Sequence, residues 1–445
     1  METVKIILEA AVVAAALFMG VRTGGIGLGV WGLVGTLVLV VGFQLKPGSP
    51  PVEAVLIVAA VIVAASVMQA AGGIDWMVRQ AAKAISKNPH RVVYYAPFMA
   101  FLFTVGAGTG NIYYPLLPVI YDVSYSQQIR PERALAVSAV ASQVGILASP
   151  VSAATASMTA LLGPKGFTLG KILLIMWPAS VVGLLVAAFV MTKIGKPLEK
   201  DLEYQKRLAE GRVPPPAKTD LSAPLPAAAR TSALIFLAGV LIIVAAGLFS
   251  GLAAKVLPAL KNSSGHGVDI TLVIEMVMGL VAAVTFLACR VKAGEVTKQS
   301  TFPAGIVGAI ALFGIAWLAN TFVAANSKAI THSLGGVVGQ APLLFAVALA
   351  LVAMLTTSQS SATNAIVPIG LSIGLSSAAI VGMWPATMGI YLLPANGSQI
   401  ATVGFDQTGT TRIGKYVINH SFLVPTVVFI VVGVAVGLLL SQFIG

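Results

Sequence analysis

Charged residues are scarce in this chain. Asp, Glu, Lys and Arg make up 9% of its 445 residues, where a soluble domain carries roughly 25%. That excludes an ordinary soluble globular protein. Cysteine is all but missing: Cys289 is the only one, so no intramolecular disulfide forms. It lies beside Arg290 at the end of an apolar run and reads as packing. The four histidines, His90, His266, His332 and His420, are scattered, and no Cys/His spacing suits a metal. There is no HExxH, no P-loop and no GxSxG, so neither an enzyme nor ATP-driven pumping by this chain alone is expected. The single GAGTG run sits in an apolar segment without the strand that a nucleotide fingerprint needs. No alternating ten-residue pattern points to a β-barrel.

Apolar residues, by contrast, make up 57% of the chain and fall in long runs such as 54–68 and 233–249. A helix crossing a membrane needs ~20 of them. The sequence therefore predicts an all-α polytopic membrane protein, with apolar runs near 5–20, 26–43, 52–71, 92–107, 134–162, 170–191, 231–254, 269–289, 303–325, 342–357, 376–403 and 417–443. The opening METVKIILEA has an acid on each side of Lys5 and no small-residue cleavage site before the next run, and reads as a retained first span. Segment 74–87 places apolar residues on one helical face and Arg79, Lys83 and Lys87 on the other, as in a helix lying at the membrane surface or in a solvated loop.

The net charge of +12 follows from topology before it follows from partners. No basic stretch is interleaved with aromatics, so nucleic-acid binding is not expected; membrane lipid is. The longest polar stretch, 193–230, holds eight basic residues and the Pro run 214–216. The positive-inside rule makes it a flexible cytoplasmic linker between halves at 1–192 and 231–445. Arg290, Lys292 and Lys298 return to the same side two spans later. Extending that alternation puts both termini outside.

The chain also breaks its own helices at matched places. GTGNIYYPLLP has Asn111 four residues before Pro115, and SSATNAIVPIG has Asn364 four residues before Pro368. Each is followed by a second break, ASPVSAAT around Pro150 and LLPANGSQIAT around Pro394. Polar, helix-breaking segments persist at membrane depth only where protein or a wet cavity surrounds them. Recurrence in two halves is the pattern of a transporter built from inverted repeats with its site at the breaks. Segments 109–123 and 359–375 are accordingly expected to be re-entrant or unwound.

Broken helices bind ions through N-terminal amides and unwound carbonyls. Thr109, Asn111, Ser360, Ser361, Thr363 and Asn364 supply hydroxyls and amides beside the first breaks; Ser149, Ser152, Thr155, Asn396, Ser398 and Gln399 do so at the second. Each hydroxyl taken singly could instead bond its own helix backbone. Arg130 and Arg133 flank Pro131-Glu132, and Arg412 follows Asp406. Guanidinium groups match carboxylates, but positive-inside loop charge, a Glu132 salt bridge and an Asp406–Arg412 pair are the favoured account of them. Asp406 is a candidate coupling carboxylate and His420 a candidate proton carrier, against a loop-closing pair and an interfacial cap. Glu275 lies within an apolar run or one turn from its outer end.

Several stretches together resemble the anaerobic C4-dicarboxylate transporter (Dcu) family. They are RTGGIGLGVWG (22–32), LKPGSPPVE (45–53), QAAGGID (69–75), AGTGN (107–111), the block from YDV through IRPER to ASPVSAA (121–154), GIAW (314–317) and FDQTGTTRIGKYVINHSF (405–422). The resemblance spans nearly the whole chain. It implies a bacterial inner-membrane carrier of fumarate, succinate, malate or aspartate, commonly working by exchange. It departs where many members carry His at the place of Asn111 and a sequence like LPTYPSD at the place of LPANGSQ (393–399), which bears on substrate preference and proton coupling. A looser likeness to sodium-coupled dicarboxylate carriers, in TGN (109–111) and ATN (362–364), implies an elevator-like motion, a homodimer, and Na⁺ or H⁺ as the coupling ion of an alternative symport. A channel and a sensor subunit are the remaining alternatives.

Overall fold

A computed structural model describes the chain apart from residues 1, 24–25, 214–223, 262–266, 341–342, 395, 415–418 and 445; at 2–3, 21, 28, 54, 111–112, 115, 304 and 327–340 it describes the backbone alone. Among the described residues all regular structure is helical, save one isolated bridge between Lys261 and Val268. Six described helices are long and apolar enough to cross a membrane, seven if one bent pair is counted as a span.

The chain opens with α1 (Glu2–Thr23) and α2 (Gly27–Leu37), which packs on α1. Helix α3 (Val52–Ala70) meets α4 (Gly73–Lys87) at a 74° bend. The amphipathic α4 buries Ile74, Met77, Ala81 and Ile85, but against other helices of the protein. Helix α5 (Val92–Ala107) ends at Gly108, whose φ of +72° suits glycine and turns the chain. A 3-10 stretch, Gly110–Leu116, and α6 (Leu117–Ser126) then lead back to the turn before α5, completing a hairpin.

Helix α7 (Pro131–Ala148) begins at a proline, which tolerates the first helical position because that amide has no partner in any case. It breaks at 149–152 and resumes as α8 (Ala153–Leu162), capped by Ser152. Helix α9 (Leu169–Lys193) returns along it, and α10 (Leu202–Ala209) lies in the linker.

Next come α11 (Ala229–Leu248), α12 (Ser250–Val256), α13 (Ile270–Cys289), α14 (Ala293–Val296) and α15 (Thr301–Gln340). Then the earlier order recurs. Helices α16 (Leu343–Thr356) and α17 (Gln359–Ser372) pack together as a second hairpin, turned at Thr357 with φ +49°. Helix α18 (Ser377–Met383) continues as a 3-10 stretch, Trp384–Tyr391, breaks at 392–396 and resumes as α19 (Gly397–Phe405). Helix α20 (Leu423–Ile444) closes the chain against α9.

One expectation needs correcting. Asn364 and Pro368 lie inside the continuous helix α17, so the second hairpin does not turn at the Asn-x3-Pro motif. It turns at Thr357, and Ser358 caps the helix that follows by accepting from the amide of Ser361. A proline inside a helix costs one hydrogen bond and a clash, which neighbouring helices absorb here as in membrane proteins generally.

Side chains pack into two principal cores. One joins residues 81–213 with 345–444, that is, both hairpins, both broken helices, α9 and α20. The other joins α3, the start of α4, α11, α13 and the first turns of α15, and takes in Val151, Ala156, Leu169 and Leu173 where the first broken helix and α9 pack on it. Helices α1 and α2 are attached to α15 through Ala16, Leu39 and Leu318. We call these the inner and outer bodies.

Candidate functional site

The two hairpin tips and the two helix breaks meet at one cavity of about 270 Å³. Gly108, Thr109 and Gly110 line it from the first tip, and Thr357, Ser358, Gln359 and Ser360 from the second. Ala153 and Ala154 contribute the first turn of α8, and Asn396 the cap of α19. Gln143, Ile146, Tyr114, Ile390 and Gly308 of the outer body complete the wall. A second cavity of about 180 Å³ shares Gly108, Thr109, Ala153 and Gly308 and extends between α3 and α15 to Thr301. A more voluminous cavity, about 520 Å³, lies elsewhere, at the α8–α9 turn. Glu53 and Asp269 line it, which disfavours an anion there, and none of the candidate residues does.

Three helices begin at the central cavity, and each start is built by its cap. Ser152 accepts from the amide of Thr155 at 3.1 Å, and Ser358 from that of Ser361 at 3.2 Å. Asn396 accepts from the amide of Ser398 at 3.1 Å while Gln399 reaches back to the Asn396 amide at 3.1 Å, a capping box. The first amides of a helix have no intrahelical acceptor, and the cap occupies only some of them. The remaining amides and the helix dipole give each start a partial positive charge of roughly one half.

The other candidate side chains mostly hold this frame. Ser149 donates to the carbonyl of Val105 at 2.8 Å, tying the α7 break to α5. Ser152 and Thr155 both donate to the carbonyl of Ile146, which the break frees. Trp177 donates to the Ala148 carbonyl at 3.0 Å. Asn364 donates to Ser157 Oγ and to the Ser360 carbonyl, each at 2.8 Å, and so docks α17 on α8. Ser360 Oγ lies 3.2 Å from Ser157 Oγ. Thr363 donates to the Gln359 carbonyl and accepts from Trp384 Nε1. Tyr391 shares a hydrogen bond with Ser398, which donates on to Asn396. Gln399 also donates to the Tyr391 carbonyl. Ser361 Oγ is buried without a partner among the described residues. The side chain of Asn111 lies outside the described residues; its backbone belongs to the 3-10 stretch after the first tip.

The charged candidates stand apart from the cavity wall. Arg130 is buried between Glu132 (2.5 Å) and Asp201 (2.6 Å), and Arg133 donates to the carbonyls of Ile194 and Gly195. These contacts bind the start of α7 to the linker. Arg412 is exposed, and its backbone amide donates to Ser421. Asp406 is saturated by a threonine turn: it accepts from the amide and hydroxyl of Thr408, from Thr410 Oγ1 at 2.8 Å and from the Thr411 amide at 2.6 Å. The Asp406–Arg412 pairing is therefore replaced by local hydrogen bonds. His420 Nε2 is 3.1 Å from the Leu392 carbonyl at the second break, and its Nδ1 is buried without a partner among the described residues.

Tyr114, Gln143 and Gln359 went unnoticed in the sequence. Gln143 is the one amide in an otherwise apolar and small-residue stretch of α7, a signal that a search for lone polar groups in apolar helices would find. Gln359 donates to the Gln143 carbonyl at 3.1 Å, joining the second tip to α7. Tyr114 carries no comparable signal. It projects from a 3-10 stretch over the start of α19, where a Cβ on Gly397 would lie 3.5 Å from its hydroxyl.

Comparison with known proteins gives one consistent answer. The family model described as anaerobic C4-dicarboxylate membrane transporter matches residues 5–445. The chain is 36% identical over 448 residues to the anaerobic C4-dicarboxylate transporter DcuB of Escherichia coli, covering 98% of this chain and 99% of that one. It is 35% identical to the C4-dicarboxylate transporter DcuA of Wolinella succinogenes, over 99% of this chain and all of that one (100%). Among solved structures, the YdaH transporter of Alcanivorax borkumensis superposes with a TM-score of 0.54 at 17% identity, over 89% of this chain and 85% of that one. MtrF of Neisseria gonorrhoeae gives 0.51 at 14%, over 85% and 80%. At such identities the structural likeness concerns fold alone. The full-length match is decisive: the chain belongs to the anaerobic C4-dicarboxylate membrane transporter family, a family of transporters and not of enzymes.

Proposed function

We propose that this chain exchanges C4-dicarboxylates across the bacterial inner membrane, binding them in the cavity between the hairpin tips and helix breaks. The observation that carries the proposal is the convergence of three capped helix starts on one cavity of about 270 Å³. Free amides at helix N-termini are natural carboxylate ligands. Thr109, Ser360, Asn396, Gln143 and Tyr114 are the side chains in position to touch substrate, with Asn111 beside them in sequence. Ser149, Ser152, Thr155, Thr363, Asn364, Ser398 and Gln399 hold the tips and breaks in shape. Neutral ligands select an anion yet release it, as exchange requires.

In this reading residues 1–192 and 231–445 are inverted copies, the linker 193–230 faces the cytoplasm and both termini face the periplasm. Two copies assemble as a homodimer. The inner body carries the cavity past the outer body in an elevator-like step, and no coupling ion is needed.

The test is counterflow in proteoliposomes loaded with unlabelled succinate. Entry of labelled fumarate or malate is expected to saturate and to require internal dicarboxylate, with or without a sodium gradient. Uptake into empty vesicles driven only by a sodium or proton gradient would make the protein a symporter. Uptake without saturation or trans-stimulation would make it a channel. Asn111→Ala and Asn364→Ala are each expected to abolish exchange while the purified protein remains monodisperse.

A further inference from the structure

We infer that the cavity selects dicarboxylates carrying two full negative charges and no ammonium group, so that fumarate, succinate and malate are moved in preference to aspartate. The inference rests on the reading of this cavity as the substrate site.

Charge is the deciding quantity. The segments that form the wall, 104–116, 143–158, 301–313, 354–368 and 386–402, contain no Asp, Glu, Lys, Arg or His. The cavity's electrostatic character therefore comes from the backbone. Helices α8, α17 and α19 all start at it, and Ala153, Ala154, Gln359 and Ser360, all from first turns, line it. At roughly half a charge each, the three starts present about one and a half positive charges. A dianion gains from this field at both carboxylates. The zwitterion of aspartate gains less, because its net charge is half as large.

Its ammonium fares worse still. It would enter a field of the wrong sign and meet no carboxylate in the wall. Taking a charged group out of water without a counter-charge is costly. A hydroxyl on the same carbon is neutral and pays no such penalty. Gln359 offers it an amide oxygen: Nε2 is committed to the Gln143 carbonyl, which fixes the orientation of the amide, and Oε1 is buried without a partner among the described residues. Malate is thus accommodated where aspartate is not.

The experiment measures competition. Proteoliposomes loaded with unlabelled fumarate take up labelled fumarate while succinate, malate or aspartate is added outside. The half-inhibiting concentration of aspartate is expected to exceed that of succinate by at least about tenfold, the ratio that a few helix-end interactions of the wrong sign produce. Equal inhibition by aspartate and succinate, with fumarate exchange intact, overturns the inference and leaves the site reading standing. Failure of every acid to exchange removes the site reading, and the inference with it. A second arm adds the missing charge. Gln143→Glu places a carboxylate in the wall and is expected to shift the aspartate-to-succinate preference toward aspartate by about tenfold or more. A parallel loss for all substrates, with the ratio unchanged, counts against the charge argument. The wild-type competition decides the matter even if that variant does not fold.

Discussion

The inner and outer bodies are made of similar residues but meet different surroundings. In the span running from α7 through α8, 89% of the most apolar window is buried inside the protein; in α11 and α13 the shares are 39% and 33%. Helices α11 and α13 turn the larger share of their surface outward, and neither is interrupted. Where a helix has lipid on one side, a freed carbonyl finds no donor. The inner helices break twice, and the freed groups find side chains: Val105 receives Ser149, Ile146 receives Ser152 and Thr155, and Ala148 receives Trp177. The breaks of α7–α8 thus lie where protein surrounds the helix and meets each freed group, and there a polar site can be built at membrane depth. The outer body supplies a single lining residue to the central cavity, Gly308.

The contrast is sharpest for buried charge. At the rim of the inner body Arg130 is 5% exposed and bridges Glu132 and Asp201, while Ser421 and Thr410 bind the same Glu132 from the α19–α20 loop. One guanidinium thereby links α7, the linker and the second broken helix. In the outer body Lys5, 52% exposed, stands 3.9 Å from Glu9, which is buried but already held by Asn326 Nδ2 at 2.6 Å, so that losing the lysine does not strand it. Removing one partner of a buried pair strands the other; exposed partners are replaced by water. Arg130→Ala is expected to destabilise the protein by about 3 kcal/mol or more, and Lys5→Ala by less than about 1 kcal/mol. Thermal unfolding of the two purified variants in detergent measures both. Equal shifts would mean that the rim of the inner body is as water-accessible as the end of α1.

A smaller difference is expected from packing. Gly145 of α7 sits against α5 so closely that a Cβ would lie 2.6 Å from Thr104 Cβ and 2.8 Å from the Phe101 carbonyl oxygen. Gly279 of α13 has open space where its Cβ would go. Gly145→Val should cost about 1–3 kcal/mol and reduce exchange, because α5 carries the first hairpin tip. Gly279→Ala should be neutral to slightly stabilising, since alanine is the better helix former. The same unfolding curves, read beside counterflow rates, test whether a glycine packed on a neighbouring helix and one facing open space differ as these distances require.

The sequence reveals this division only in part. The second breaks were legible because Pro150 and Pro394 stand among small and polar residues. The family blocks 121–154 and 405–422 were legible too, and they are the segments knotted together at Glu132, Thr410 and Ser421. The turn of the second hairpin was hidden. It rests on a positive φ at Thr357, a residue type that gives no warning of it, whereas Asn364 and Pro368 look like a break and are carried inside α17 by the contact with Ser157. Arg130 and Arg133 resemble carboxylate ligands locally; only packing against Asp201 and the 194–195 backbone, more than 60 positions away, decides their role. Two cores that interleave along the chain cannot be read from runs of apolar residues, because a lipid-facing and a protein-facing leucine are the same letter.

The smallest expected difference between the two bodies is in their response to acid. Burial alone would push the Asp201 carboxyl up, but the Arg130 guanidinium and the amides of Tyr204 and Glu203 more than offset it and hold the group below the ordinary carboxylate value. A depressed value means that the unfolded chain binds the proton first. The stabilisation is therefore complete above the unfolded value, about pH 4, and is lost as the pH falls through the lower folded value. Glu295 beside α14, at the edge of the outer body, is also held low, by Lys298, but that pair is fully exposed and screened. Between about pH 4 and pH 3, the melting temperature of wild-type protein should fall more steeply than that of Asp201→Asn. Glu295→Gln should follow the wild-type curve. If Asp201→Asn tracks wild type as well, the contact between Arg130 and Asp201 is open to water, and the linker is not held to α7 by charge.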